Sequence, residues 1–210
     1  MTGAAAAAAD LPQLAAQVSR GVVVVEAWSQ AGARTGSGFF LERRGLIATA
    51  LHTVEGARRV RVTVPGRFAA SDARLLAVSS AWDLAVLEVE WPAGEPYPGL
   101  PLDASLLAAG TEVALTGHGR HGDEPSSVPL TVRGIVSGAF GSPAGAGGYL
   151  LDLGAREGFS GSPVYRTDNG AVIGVLTRVH AAPGGTGPGG AAPAAALKAL
   201  VTGLGSALGR

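Results

Sequence analysis

An all-β or β-rich fold of many short strands is predicted by three features of the sequence. The 33 glycines and 13 prolines make up about a fifth of the 210 residues, and such punctuation favours short elements joined by turns. Hydrophobic residues reach 47% and charged residues only 15%, a balance that suits a compact core and argues against disorder. Apolar or alternating segments of four to eight residues recur along the chain with turn signals between them.

The elements follow in order. Residues 1–9 are alanine-rich and of low complexity. Asp10 stands as an N-cap before Leu11, Leu14, Ala15 and Val18, an apolar face at helical spacing that predicts a short helix ending near Gly21. The run from Val22 to Val25 is β-branched and predicts a buried strand reaching Trp28. Strands are read at Ser37–Leu41 and Leu46–Thr49, then at Val60–Val64, where alternation leaves one polar face. Ala73–Ser79 and Leu84–Val89 follow, on either side of a turn that carries Asp83, and Pro92–Pro101 reads as a linker. In the second half, strands are expected at Glu112–Thr116, Leu130–Val136, Tyr149–Leu153, Pro163–Tyr165 and Ala171–Val179. A loose Gly/Pro segment is read over 182–190, and Ala192–Leu208 has helical spacing. The division is a first β lobe at 10–95 with Asp10 at its start and a second at 96–210, preceded by a flexible N-terminus at 1–9.

Composition excludes several classes of function. The formal net charge is zero and the densest basic clusters are the pairs Arg43–Arg44 and Arg58–Arg59, too little for a nucleic-acid stripe. With no cysteine there is no disulfide, no thiolate metal site and no cysteine nucleophile. The Ala4–Ala9 run lacks a basic flank and is closed by Asp10, so it is not a signal peptide, and no stretch is long enough to span a bilayer. As it stands the sequence reads as soluble and cytoplasmic, or exported if a signal has been trimmed. No cofactor is expected. His118 and His121 in Gly117–Gly122 supply only two metal ligands, with Asp123 and Glu124 nearby, and the segment reads as a surface loop rather than a metal site.

Three residues carry the candidate chemistry. Ser160 lies in Gly158-Phe-Ser-Gly-Ser-Pro163, where the flanking glycines permit a tight turn that aims the amides of Gly158 and Ser160 at one point, as an oxyanion hole requires. Alone, this fragment reads equally well as an ordinary Gly/Ser turn. It is not a nucleophile elbow, because position 162 is serine and the base does not follow near the C-terminus; His180 is the only later histidine. His52 leaves an apolar strand, and Asp83 leads into one. A satisfied structural histidine and a turn-capping acid are the plain alternatives for each taken singly. Together their order, His52, Asp83, Ser160, is that of chymotrypsin-like enzymes, with base and acid in one lobe and nucleophile in the other.

The pieces Gly36-Ser37-Gly38, Thr49–Ala57 around His52, Asp83–Leu87, Thr131–Ser137, Gly158–Pro163 and Val172–Val175 fall in the order found in trypsin-fold peptidases of the bacterial HtrA (DegP-like) branch. The chain resembles that protease domain over roughly residues 11 to 203, without the PDZ domain that members often carry. The resemblance implies two antiparallel six-stranded β-barrels with short terminal helices and a site between them. It also implies a serine endopeptidase acting on peptides or unfolded proteins, and a homo-oligomer, trimeric by analogy. Catalytic roles fall on His52, Asp83 and Ser160, and the oxyanion hole on the amides of Gly158 and Ser160. Gly154 and Ala155 would floor the pocket for a small aliphatic residue, and Thr177, Arg178 and Val179 would pair with the substrate backbone. One departure is Phe159, where the family usually has Asn or Asp. That residue favours the alternative reading, a catalytically inactive module that binds peptides or protein partners.

Overall fold

A computed structural model describes residues 10–64, 68–121, 124–125, 128–141, 147–179 and 187–208. The helix α1 (Leu11–Ser19) leads into β1 (Val22–Ser29), β2 (Gly32–Phe40) and β3 (Leu46–Ala50). After the single turn α2 (Leu51–Val54) come β4 (Arg59–Val64), β5 (Phe68–Asp72), β6 (Arg74–Ser79) and β7 (Leu84–Glu88). Beyond a long connection lie β8 (Glu112–Gly117), the two-residue strands β9 (Arg120–His121) and β10 (Glu124–Pro125), and β11 (Leu130–Gly141). The chain then forms β12 (Gly147–Ala155), β13 (Pro163–Arg166), β14 (Val172–Val179), β15 (Gly187–Pro193) and α3 (Ala194–Leu208).

The expected all-β fold is present, as two large antiparallel sheets with β9 and β10 paired as a small third one. The second is a closed barrel of six strands in the order β11-β12-β15-β14-β13-β8. The first runs β5-β4-β1-β2-β3-β7-β6, seven strands rather than six. Its two end strands are consecutive in the chain with only Ala73 between them, and the Ala73 amide still bonds to Val60 O at 2.9 Å. Taken as one bent strand, β5 and β6 bring the number to six and join the sheet's ends through the chain itself.

Burial explains the sequence pattern. β1 is apolar on both faces because Val23, Val25 and Ala27 fill the interior of the first sheet while Val22 joins a second cluster. That second cluster combines Leu14 and Val18 of α1, Phe39, Leu41, Leu84 and Val86 of the first sheet, Tyr165, Val172 and Val175 of the barrel, and Leu197 of α3. The two large sheets and the helices α1 and α3 therefore share one apolar layer. β4 alternates as expected, with Val60, Val62 and Val64 inward.

Several elements differ from the sequence reading: β5 has no counterpart among the expected strands, and Ala192 and Pro193, read into the last helix, belong to β15. Asp10 occupies the N-cap of α1, but its side chain makes no capping bond; its carbonyl receives the amides of Gln13 and Leu14 instead. The Pro-rich connection is not a free linker. Tyr97 packs edge-on against Phe40 and Trp91, and Leu100 bridges to Leu41. The final difference is β15, a strand of Gly, Pro and Ala within the segment read as loose. It has no side-chain signal because its neighbours need the space: a Cβ on Gly189 would lie 2.8 Å from Leu176 Cδ1. Residues 1–9 and 180–186, with His180, lie outside the described residues, as does Asp123.

Candidate active site

The register of the first sheet brings the first two residues together. Ala50 at the end of β3 pairs with Leu84 at the start of β7, so the next residue on each side must also meet. Leu51 N–H donates to Asp83 O at 2.9 Å, and the α2 turn then lifts His52 over the acid. The His52 amide donates to Asp83 Oδ1 at 2.8 Å, and the imidazole Nδ1 lies 2.6 Å from Oδ2. Both carboxylate oxygens are thus spent on one residue. Asp83 has φ +54°, the only described non-glycine residue with positive φ, a conformation that Asp tolerates better than most. The His52 and Asp83 side chains keep 46% and 26% of their surface, so the pair faces solvent rather than lying in the core.

Ser160 arrives from the barrel. The Ser37 amide of β2 donates to Ser160 O at 2.8 Å, and the Gly161 amide donates to Leu176 O at 2.7 Å. Gly36 is tight against this point, since a Cβ there would lie 2.9 Å from Ser160 O and from Thr53 beside His52. Gly161, at φ +90°, admits nothing else, because a Cβ would fall 2.0 Å from Ser37 O. The Ser160 hydroxyl makes no hydrogen bond to His52 in this structure. In sites without substrate such contacts are often long and tighten on binding.

Around Ser160 the backbone turns on itself: Phe159 N–H bonds Arg156 O and Ser162 N–H bonds Phe159 O, at 3.1 and 2.9 Å. Gly158 takes φ +88°, and among the described residues the amides of Gly158 and Ser160 donate to no protein acceptor. Both amides are therefore left as free donors beside the serine. Phe159 is fully buried in the barrel core with Leu115, Val136 and Leu153, and the Arg156 guanidinium lies 5.8 Å from its ring.

The sequence reading missed the residue that ties these parts together. Ser37 is fully buried; its hydroxyl donates to Gly158 O and accepts the His118 amide, both at 2.8 Å, while its carbonyl accepts Thr49 Oγ1–H at 2.7 Å. The Gly-Ser-Gly pattern was visible, but nothing in it says which group the hydroxyl meets. His118, read as a surface-loop residue, is fully buried, and its amide bonds the Ser37 hydroxyl. Among the described residues no group of acids and histidines has metal-site geometry.

The expected substrate residues spread over two strands. Gly154 is exposed with open space around it, whereas Ala155 is fully buried in the barrel core. Thr177 lies at a bulge of β14, 7% exposed, and its hydroxyl reaches Gly190 O at 3.5 Å. Arg178 and Val179 pair with Gly190 and Gly189 of β15.

Residues 36–175 match the family model for the trypsin-like peptidase domain. Among curated proteins, the chain is 34% identical over 175 residues to the Synechocystis protein named as serine protease HhoA, covering 79% of this chain and 41% of that one. It is 36% identical over 151 residues to the mitochondrial serine protease HTRA2 of Bos taurus, covering 68% and 31%. The chain thus spans well under half the length of these relatives. Among solved structures, the HtrA-type protease AlgW with tripeptide superposes at TM-score 0.74 and 19% identity, over 92% of this chain and 62% of that one. The Rv3671c protease of M. tuberculosis in its active form gives 0.74 and 21%, over 91% and 84%. At these identities the superpositions establish the fold.

Proposed function

Because the chain belongs to the trypsin-like peptidase family, with HtrA proteases among its relatives, we propose that it is a serine endopeptidase whose nucleophile is Ser160. The observation that carries this reading is the two-point grip of Asp83 on His52. A carboxylate accepting from Nδ1–H leaves the Nε2 lone pair as the base and stabilises the imidazolium that forms. In this reading Nε2 takes the Ser160 proton as Oγ attacks the peptide carbonyl carbon. The Gly158 and Ser160 amides hold the oxyanion. His52 then gives that proton to the leaving nitrogen as the C–N bond breaks, and water releases the acyl group by the same steps in reverse.

The first lobe (10–95) supplies base and acid and the second (96–210) the nucleophile. The substrate is a peptide or unfolded protein, with a small side chain before the cut beside Gly154, and the Thr177–Val179 stretch of β14 pairs with its backbone. No helix among the described residues is long and apolar enough to cross a membrane. The test is labelling with a fluorophosphonate, wild type beside Ser160→Ala, read by intact mass. One adduct on wild type and none on the variant is the expected result. No adduct on folded wild type overturns the reading in favour of an inactive peptide-binding module. Ser160→Ala and His52→Ala are each expected to lower peptide turnover on the order of 10⁶-fold, because the groups act as a unit.

A further inference from the structure

Two large apolar side chains near the site lie open to solvent: Phe140 is 46% and Leu150 is 44% exposed. Both project from the β11–β12 hairpin, and each faces a glycine across the ladder, Phe140 opposite Gly148 and Leu150 opposite Gly138. The Phe140 ring lies on the Gly148 backbone, where a Cβ would come within 2.4 Å of Cζ. The hairpin thus presents a smooth apolar shelf whose ring is held in place. The shelf continues through Trp82 to Asp83 and encloses a cleft of about 250 Å³ with Thr177, Arg178 and Gly190. The Arg178 stem runs over Gly190, 3.4 to 3.9 Å from where a Cβ would stand. Among the described residues its guanidinium makes no hydrogen bond or ion pair, whereas the one acid lining the cleft, Asp83, is committed to His52.

We propose that this cleft selects the substrate: an extended segment N-terminal to the cut that places a bulky apolar side chain on Phe140 and Leu150 and an acidic side chain in reach of Arg178. The direction in which the segment lies rests on the endopeptidase reading. A strand laid along Thr177–Val179 sends alternate side chains to opposite faces. If the residue before the cut faces Gly154, the second and fourth residues before it face the shelf. Solvated apolar surface of this kind, continuous with a candidate catalytic pair and unpartnered by the fold, marks a binding surface rather than a packing defect. Arg178, the one cation among the described residues lining the cleft, sets the sign of the neighbouring charge.

The experiment is fluorescence anisotropy on the full chain carrying Ser160→Ala, with labelled Ala/Ser peptides that hold one Phe, or none, beside one Glu or one Lys. Phe is expected to tighten binding about tenfold over Ala, and Glu over Lys by about threefold. Phe140→Ala with Leu150→Ala, both exposed and tolerable to the fold, should erase the Phe preference. Arg178→Glu should invert the charge preference. Equal affinity across the peptides, or preferences that survive these substitutions, overturns the proposal. The catalytic reading is judged separately: wild type that takes no fluorophosphonate while Ser160→Ala keeps the peptide preferences loses the endopeptidase and retains the cleft.

Discussion

Ser37 shows how one small side chain can hold a neighbouring loop from outside it. Its hydroxyl joins Gly158 O to the His118 amide, and its own amide holds Ser160 O, so a strand of the first sheet fixes both ends of the Gly158–Ser160 turn. Replacement by alanine leaves a buried carbonyl and a buried amide without that partner, at a cost of about 1–3 kcal/mol. Ser37→Ala is therefore expected to lower kcat on peptide substrates by roughly tenfold or more while KM changes little, the pattern of a contact that matters when the oxyanion forms. Steady-state kinetics decide it, and an unchanged kcat removes Ser37 from the site. Close by, Ser162 fits only because residue 117 is glycine: a Cβ there would lie 1.9 Å from Ser162 Oγ. Gly117→Ala should destabilise the fold by about 1–3 kcal/mol, and Ser162→Gly in the same chain should recover most of the loss. Denaturant midpoints of the single and double variants measure the coupling; simple additivity would mean that the two residues do not meet.

At the scale of elements, strands with side-chain patterns were legible and strands made of backbone were not. β4 announces itself by alternation, β1 by a β-branched run, and α1 by its apolar spacing. β15 is invisible because packing against Leu176 requires glycine where a sequence pattern would need a valine. His52, Asp83 and Ser160 could be picked out by type and order, yet the reason that His52 meets Asp83 is a register, Ala50 opposite Leu84, which no local pattern encodes. The connection between the sheets is ordered by scattered contacts that no local pattern announces, the packing of Tyr97 against Phe40 and Trp91 and a polar cluster at Asp103. Asp103 accepts the amide and hydroxyl of Ser105, its own amide donates to Val172 O, and Arg166 lies 3.8 Å away. The Ser105 hydrogen bonds, and then the charge of Arg166, hold the Asp103 carboxyl below its ordinary range. A depressed carboxyl stabilises the fold above its unfolded pKa of about 4, and this is lost as pH falls through the folded value. Asp103→Asn should therefore cost under about 1 kcal/mol at pH 7 and progressively less towards pH 3. Urea midpoints across that range check it, and a penalty that grows in acid would contradict the sign.

For the whole molecule, the decisive feature is the apolar layer shared by the two large sheets and by α1 and α3. Leu197 of α3 is fully buried there with Phe39, Leu84, Val175 and Leu14, residues drawn from each sheet and from α1. The proposed site draws on both sheets and needs them locked, because a shift of about 1 Å at the reacting groups costs on the order of 10²-fold in rate. The layer supplies that lock, and it predicts that the sheets unfold as one unit. Trp28, Trp82 and Trp91 lie in or beside the strands of the first sheet, so tryptophan fluorescence reports that sheet, whereas far-UV circular dichroism reports the whole chain. The two signals should give the same midpoint in urea, the mark of two-state unfolding. Leu197→Ala, a substitution in a helix that follows the barrel, should cost about 2–5 kcal/mol and move both midpoints together. A fluorescence midpoint that stays in place while the dichroism transition shifts or splits would mean that the sheets fold independently. The alignment of His52 and Asp83 with Ser160 would then depend on loop contacts such as that of Ser37 rather than on the shared core.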